Sequence, residues 1–307
     1  AASAYYASPY NNAAFITMDG VGEWSTTSYG VGKENKIQIL ADIKFPHSLG
    51  LLYSAITYYT GFRVNSGEYK VMGLAPYGEP KFKNIILDNL IDLKQDGTFR
   101  LNMKYFDYAT GLKMVNQNFL NLFSQPARNP KKDLLTQFHM DIAASIQLII
   151  EEIVVRLAKS IFKQHKSKNL CMAGGVALNC VANGKILKEK IFENIWVQPA
   201  AGDAGGALGA ALAMWYKELK NQRIRPLKDQ MNGSYLGPSF KDEEIEKRLN
   251  SLGAKYEKFP EEKLLQITAE ELSKEKTIGW FQGRMEFGPR ALGGRSILAD
   301  ARSTTMQ

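Results

Sequence analysis

A long amphipathic helix constrains the fold of this chain more than any other feature of its sequence. Apolar residues recur at every third or fourth position between residues 133 and 165, which is the spacing of a helix with one apolar face. Glu151, Glu152 and Arg156 interrupt the apolar run, and a membrane span needs about 18 residues with few or no charges. We therefore predict a helix that crosses a whole domain, with no membrane association.

Strands and helices alternate after this helix. Short apolar runs at 169–172 and 195–198 predict strands, and helical patterns at 176–190 and 205–219 follow them. This alternation predicts an α/β domain with three layers.

The part of the chain before the long helix predicts a different arrangement. An apolar run at 13–18 predicts a buried strand, and segments at 24–31 and 37–45 continue it as a three-stranded meander. Ser48 is placed to cap a helix that extends to Tyr59.

Three further segments lie between this helix and the long one. Residues 66–78 are punctuated by glycine and predict an ordered loop. Residues 81–93 have helical spacing, and residues 94–130 predict an irregular, peripheral insertion.

The composition changes after residue 220, where the chain becomes polar. Charged helices are predicted at 241–252 and 261–275, followed by a buried strand at 277–282. We therefore predict an α/β core at 1–220, a linker at 221–240 and the beginning of a second α/β domain at 241–307.

Charge and cysteine content limit the partners and the compartment. The net charge of +8 suits an anionic ligand, but the basic residues are dispersed and no arginine-rich arm is present. We therefore expect no nucleic-acid partner. The two cysteines, Cys171 and Cys180, are too few for a disulfide framework and lie in apolar sequence. They predict buried thiols and a cytoplasmic setting.

The first predicted strand runs directly into an acidic, glycine-containing turn. Asp19 is placed there to hold a metal ion or water, and Gly20 and Gly22 allow backbone amides to approach an anion. Glu23 completes this candidate binding turn. An ordinary hairpin turn is the alternative interpretation.

Two later strand ends have the same character. Gly174 and Gly175 precede a helix that begins near Asn179, which leaves helix amides beside a gap without side chains. The glycine pair is also what a tight strand–helix turn requires.

The third turn holds an acid among glycines. Asp203 lies between Gly202 and Gly205, and helix capping is the alternative role for its carboxylate. Open α/β folds bind ligands at the carboxyl ends of their strands. The three turns together therefore predict one crevice for a nucleotide or a metal ion.

Two more candidates lie outside these turns. Arg290 and Arg295 belong to a glycine-rich segment, 283–296, whose guanidinium groups suit phosphate or carboxylate; a salt-bridged surface loop is the alternative. His47 lies in a loop before a helix, where it could line a pocket, and is a candidate catalytic residue.

Several longer motifs carry a family resemblance. They are AASAYYASP at 1–9, MDGVGE at 18–23, FPHSLGLLY at 45–53, GEYKVMGLAPYG at 67–78, GGVALN at 174–179, GD at 202–203 and FGPRALG at 287–293. Together they extend from end to end of the chain, and they resemble the O-carbamoyltransferases of nodulation-factor and antibiotic biosynthesis.

The resemblance implies an enzyme in two parts. One part has the actin-like ATPase (ribonuclease H-like) fold, as in the tRNA threonylcarbamoyl transferases. The other makes carbamoyl-adenylate from carbamoyl phosphate and ATP, with Mg²⁺ accompanying the ATP. The actin-like part then passes the carbamoyl group to a hydroxyl of a small molecule or sugar, with an iron-type divalent metal. A homodimer is one assembly that the resemblance leaves open.

The resemblance also implies roles for individual residues. Asp19 and Asp203 correspond to metal ligands, and Gly174, Gly175 and Asn179 to contacts with the adenylate. Arg290 and Arg295 fall in the motif that opens the adenylate-forming part.

The chain departs from the family pattern at both ends. A His-x-x-x-His metal motif and the first strand pair of the actin-like fold would precede residue 1, and most of the adenylate-forming part would follow residue 307. We therefore expect an incomplete actin-like core, a metal site short of two ligands and a fragment that is inactive alone. A sugar kinase or ATPase of the same fold is one alternative, and a non-enzymatic nucleotide-binding module is another. Dependence of ATP turnover on carbamoyl phosphate would distinguish a carbamoyltransferase from both alternatives.

Overall fold

The computed structural model describes residues 1–223 and 229–306. The chain divides into two compact units, 1–230 and 231–307. Residues 224–228 of the predicted linker lie outside the described residues, whereas residues 221–223 are part of the first unit.

The first unit contains most of the secondary structure. Its elements in chain order are α1 (Ala2–Ala7), β1 (Asn12–Met18), β2 (Ser25–Lys33), β3 (Lys36–Lys44), α2 (Leu49–Tyr59), α3 (Glu68–Leu74), α4 (Lys83–Asn89), β4 (Ile91–Leu93), β5 (Phe99–Leu101), α5 (Gln117–Phe123), α6 (Gln137–His165), β6 (Asn169–Ala173), α7 (Cys180–Lys188), β7 (Asn194–Val197) and α8 (Asp203–Ala213).

A five-stranded mixed sheet forms the centre of this unit. The strand order is β3-β2-β1-β6-β7. The meander β1–β2–β3 is antiparallel, whereas β6 is parallel to β1 and β7 is parallel to β6. Helices cover both sides of the sheet, so the predicted three-layer α/β class is confirmed.

Alternation along the strands assigns side chains to the two faces of the sheet. Ala14, Ile16 and Met18 of β1 lie in a large core. Ala13 and Phe15 lie in a smaller core on the opposite face.

Helix α6 dominates the large core. Its residues Ile142, Ile146, Ile149 and Ile153 are fully buried, which confirms the helical periodicity predicted for this segment. The helix begins later than predicted because Thr136 caps it and forms a capping box with the side chain of His139.

Helices α1 and α8 cover the small core. Tyr5 and Tyr6 of α1 are buried there. The two helices approach closely at Gly209, where a Cβ atom would lie 2.9 Å from the Ser3 nitrogen. A larger residue at position 209 would push α1 away from α8.

Two predictions about the middle of the chain are wrong. The predicted loop at 66–78 contains α3 and a 3₁₀ turn (Ala75–Tyr77), because Val71 and Leu74 bury an apolar face against the large core. The predicted insertion at 94–130 is not peripheral, since Phe119 and Phe123 of α5 are buried in the same core. The helix predicted at 81–93 ends at Asn89, and β4 follows it.

The second unit contains α9 (Asp242–Ser251), α10 (Glu261–Ser273), β8 (Ile278–Phe281) and β9 (Arg295–Leu298). The two strands form an antiparallel pair. The two charged helices predicted here are therefore present. The strand is present as well, but the prediction that it is buried is wrong, because its residues are intermediate or exposed. Over the described parts of both units, no helix combines the length and apolar character that crossing a membrane would require.

The two cysteines differ in exposure. Cys171 is buried in β6, and burial raises the pKa of its thiol to about 12. Cys180 is exposed at the first position of α7. The prediction that both are buried is therefore wrong for Cys180, because α7 buries Ala182 and Ile186 and not its first residue.

Candidate functional site

The carboxyl ends of three strands meet at one edge of the sheet. Strands β1, β6 and β7 run parallel, so the turns that follow them lie side by side. Gly174 joins all three: its N–H donates to the Ala201 carbonyl after β7 at 2.8 Å. Its φ is +91°, and a Cβ atom would lie 2.1 Å from the Met18 carbonyl oxygen at the end of β1. Only glycine can occupy this junction.

Asp19 is held in place on several sides. Its N–H donates to Thr26 across the β1–β2 pair at 2.7 Å. Its Oδ1 accepts from the N–H groups of Gly20 and Gly175, at 2.9 and 3.3 Å. No residue in 1–223 or 229–306 donates a hydrogen bond to the other carboxylate oxygen, Oδ2. The structure thus brings Asp19 and Gly175 together as predicted and leaves Oδ2 available to a ligand.

The amino terminus of helix α2 contacts the backbone of Asp19. Ser48 caps this helix, as predicted, by accepting from the Leu51 N–H, and its Oγ donates to the Asp19 carbonyl at 3.0 Å. A Cβ atom on Gly50 would lie 2.6 Å from that carbonyl oxygen. Gly50 is a site residue that the sequence reasoning missed, although it lies in the FPHSLG motif.

The turn after Asp19 uses its glycines in different ways. Gly22 has φ +56°, and a Cβ atom there would lie 2.5 Å from the Ser25 carbonyl, so the turn itself requires this glycine. Glu23 also has a left-handed φ, +58°. Gly20 is less crowded, since its nearest neighbour would be Leu51 at 4.0 Å.

The amino terminus of α7 is closed by its own cap. Asn179 Oδ1 accepts from the Ala182 N–H at 3.0 Å and from Gln147 Nε2 at 3.1 Å. Its Nδ2 donates to Gln147 Oε1 at 2.9 Å. The side chain of this predicted adenylate contact is thus engaged with α6 and α7.

The amino terminus of α8 is open. Its cap residue, Gly202, offers no side chain to the helix amides. A Cβ atom on Gly202 or Gly206 would meet no atom within 4 Å. Gly205 differs, because a Cβ atom there would lie 1.9 Å from the Ala200 carbonyl. The Gly205 N–H donates to the Gly202 carbonyl at 3.0 Å, so the amides of residues 203 and 204 are the ones that lie beside open space. Such amides at a helix start suit an anion, which places Gly202 at the open part of the crevice, whereas Gly205 shapes the turn.

Asp203 is the first residue of α8 and is exposed. Asp19 follows β1, and Asp203 begins the helix that follows β7. Both therefore lie at the same sheet edge, with Gly174 at the end of β6 between them. Among the described residues, no three His, Cys, Asp or Glu side chains are grouped closely enough to hold a metal ion. Protein metal sites usually have three or four protein ligands, so these two carboxylates do not by themselves fit a complete metal site.

His47 lies one residue from the Ser48 cap, but its ring points to the β4–β5 hairpin. Its Nδ1 accepts from the Leu101 N–H at 3.1 Å. Burial lowers the pKa of the imidazole, and the charge of Arg100 lowers it further. A neutral ring that accepts at Nδ1 carries its proton on Nε2, which is the nitrogen left for a ligand.

In the second unit the arginine segment forms an internal cluster around Glu286. This buried carboxylate accepts from the Leu292 and Gly294 N–H groups, both at 2.7 Å, and from Arg295 Nε at 3.1 Å. Burial raises the pKa of Glu286, but the backbone donors outweigh it and set the value at about 2. Arg295 also donates to the carbonyls of Gly288 and Arg290, at 2.7 and 3.4 Å.

The Arg295 guanidinium is therefore occupied by its own loop. Glu286 was not among the predicted site residues, and an acid within an arginine-rich segment is the signal that could have found it. The role of Arg290 as an anion contact stays a prediction.

Comparison with protein families identifies two matching regions. Residues 1–212 match the family described as carbamoyltransferase N-terminus, and residues 269–307 match carbamoyltransferase C-terminus.

Individual relatives match nearly the whole chain. Uncharacterized protein sll1178 of Synechocystis is 60% identical over 100% of this chain and 50% of its own length. Nodulation protein NolNO of Sinorhizobium fredii is 38% identical over 99% of this chain and 42% of its own length. Nodulation protein NolO of Bradyrhizobium diazoefficiens is 36% identical over 98% and 52%. The chain thus spans about half the length of the curated relatives it matches.

Among solved structures, HypF of T. kodakarensis aligns with 68% of this chain and 35% of its own. The TM-score is 0.32 and the identity 15%, which is too distant for any argument about the site.

Proposed function

The chain belongs to the carbamoyltransferase family, and from that premise we propose that its first unit binds the adenylate end of an activated carbamoyl group. In this proposal carbamoyl phosphate and ATP supply carbamoyl-adenylate, with release of phosphate and pyrophosphate. The carbamoyl group then moves to a hydroxyl of a small molecule or sugar. The hydroxyl oxygen forms a bond to the carbamoyl carbon, the bond from that carbon to the phosphate oxygen breaks, and AMP leaves.

The open amino terminus of α8 is the observation that carries this proposal. Backbone amides at a helix start favour the negative charge of a phosphate, and Gly202 leaves the approach clear. Asp203 would repel the same phosphate, so we propose that Mg²⁺ accompanies the nucleotide there. By contrast, the Asn179 side chain already accepts from the Ala182 amide at the start of α7.

Asp19 lies at the end of β1, which β6 separates from β7 and α8. Because Oδ1 is engaged by two amides, Oδ2 is the atom that could take the hydroxyl proton or contact a cation. Metal binding by Asp19 and Asp203, with an iron-type ion, stays part of the proposal; a Mn²⁺ titration of wild type, Asp19→Asn and Asp203→Asn tests it.

Nucleotide binding is tested by calorimetry with ADP and Mg²⁺. Gly202→Val places a Cβ atom where no protein atom lies within 4 Å. The side chain should block the phosphate and weaken ADP binding at least about tenfold, which corresponds to about 1.4 kcal/mol. The matched control is Gly184→Val in α7, where a Cβ atom also meets nothing within 4 Å. Equal affinity of the Gly202→Val variant and wild type would reject the assignment.

The identity of the transferred group is tested with a protein that has the full length of the relatives. Carbamoyl transfer predicts that ATP turnover requires carbamoyl phosphate and releases AMP. Turnover to ADP with a sugar alone would instead support a kinase. We expect the 307-residue chain to bind nucleotide without completing the transfer.

A further inference from the structure

Arg223 makes an unusual set of contacts with the end of α1. Its Nη1 donates to the Tyr10 carbonyl at 2.7 Å. Its Nη2 lies within 2.9 Å of the Tyr5 carbonyl, 3.3 Å of that of Tyr6 and 2.7 Å of that of Ser8. The last carbonyls of a helix have no partner within it. The guanidinium contacts those at the carboxyl end of α1 and in the turn that follows, and the Tyr5 carbonyl also accepts from the Ser8 Oγ at 2.7 Å.

The same guanidinium stacks on an aromatic ring. Its central carbon lies 4.5 Å from the centre of the Tyr5 ring, within the range of a cation–π contact. The Arg223 N–H in turn donates to Asn35 Oδ1 at 3.2 Å. Arg223 therefore connects α1 to the β2–β3 hairpin.

The other end of α1 contacts the candidate site. The Ser3 carbonyl accepts from Gln198 Nε2 at 2.8 Å, and Gln198 Oε1 accepts from the Ala200 N–H at 3.1 Å. The next residue, Ala201, accepts from Gly174. Ser3 also packs against Gly209 of α8. A continuous series of contacts thus leads from Arg223 through α1 to the strand-end turns.

We propose that Arg223 is a positioning residue for the site, which acts by holding α1 so that the turns carrying Gly174 and Asp203 keep their places beside Asp19. The small core around α1 contains few residues compared with the core around α6. Residues 3–7 of α1 are themselves buried, and the contacts of Arg223 add to that burial by fixing the carboxyl end of the helix. The proposed positioning role depends on the proposed nucleotide site for one measurement only, that of ADP binding.

Arg128 provides a matched control within the same unit. Its guanidinium also donates to backbone carbonyls, those of Thr60 at 2.6 Å and Asp133 at 3.0 Å. It also lies over an aromatic ring, 5.3 Å from the centre of Phe62. Its contacts are with the end of α2 and the segment before α6, not with α1, the β6 turn or the β7 turn.

The test compares Arg223→Met with Arg128→Met, using hydrogen exchange of the protein without ligand and calorimetry with ADP and Mg²⁺. Arg223→Met should accelerate exchange in α1 and at the Gly174 and Gly175 amides. It should also weaken ADP binding about tenfold or more, the usual cost of losing a group that orients a site. Arg128→Met should change neither the site amides nor the ADP affinity.

Several outcomes would decide the matter. Faster exchange confined to α1, with the Gly174 and Gly175 amides unchanged, would overturn the positioning role. So would a parallel loss of ADP affinity in both variants, which would indicate a general loss of stability. If wild type does not bind ADP, the proposed function fails, and exchange at Gly174 and Gly175 alone decides the role of Arg223. Should Arg223→Met fail to fold, Arg223→Lys is measured in its place, with an intermediate effect expected.

Discussion

The two faces of the central sheet are built in different ways. One face supports a large core that gathers side chains from α2, α5 and α6, with Ile149 and Ile153 fully buried at its centre. The other face is covered by α1 and α8, and its small core relies on Tyr5, Tyr6 and Phe15. Polar contacts, including those of Arg223, add to the burial of that second layer.

This difference separates stability from function in the first unit. Burial of apolar side chains is the main source of folding free energy, so the large core should set the stability of the unit. The large-core face supports Asp19 through the cap of α2, whereas the open start of α8 and the β7 turn contacted by α1 lie on the thinner layer. We therefore expect the geometry of that part of the site to depend on the thinner layer. Perturbing one face should therefore change mainly unfolding, and perturbing the other mainly binding.

The largest expected effect is on the large core. Ile149→Ala removes a fully buried side chain and should lower the free energy of unfolding by about 2–5 kcal/mol. Urea unfolding followed by circular dichroism measures it. The control is Leu187→Ala, which truncates a side chain that is 61% exposed and should change stability by less than about 0.5 kcal/mol. Similar losses in both variants would contradict the assignment of the core.

The next largest effect is expected at Gly174, where the ends of β1, β6 and β7 meet. Gly174→Ala forces a Cβ atom into the Met18 carbonyl at a left-handed φ. The backbone strain alone should cost about 1–3 kcal/mol. Gly175→Ala is the neighbouring control, since its Cβ atom would lie 3.4 Å from Asp19 Oδ1, an ordinary contact.

Thermal unfolding of the two variants gives the comparison. We expect a clearly lower midpoint for Gly174→Ala and a midpoint near wild type for Gly175→Ala. If Gly174→Ala were as stable as wild type, the tight junction of the three strand ends would be wrong.

The smallest effect concerns the cap of α6 and its dependence on pH. His139 Nδ1 accepts from the Thr136 N–H at 3.1 Å. Burial lowers the pKa of His139, with a further decrease from Arg128 and an opposing effect of Asp133. The fold therefore favours the neutral imidazole. Its contribution is complete above the unfolded pKa, about 6.5, and is lost as the pH falls through the lower folded value.

Urea unfolding at pH 7.5 and pH 5.5 measures this loss in wild type and His139→Gln. Glutamine can form the same capping box without titrating, so the variant should lose less stability, by at most about 1 kcal/mol, the typical value of a helix cap. Part of the pH dependence of the unfolding free energy should remain in the variant, because burial also lowers the pKa of His47. An identical change in the unfolding free energy between pH 7.5 and pH 5.5 in both proteins would show that the cap does not depend on the charge of His139.

The sequence by itself determined the elements whose signals are local. Periodicity identified α6, alternating and apolar runs identified the meander and the two parallel strands, and Ser48 identified the start of α2. Glycine-bearing turns at three strand ends predicted a shared site, and the motifs predicted the family. Each of these depends on residues close together in the chain, which is why spacing alone was enough.

Tertiary structure decided how those turns are used. Sequence could not distinguish the capped start of α7 from the open start of α8, because that depends on whether Asn179 meets Gln147 of α6. It also could not show that Arg223 of the predicted linker holds α1. These contacts join residues distant in sequence. Whether a polar group is free or occupied is therefore fixed only when the chain is folded.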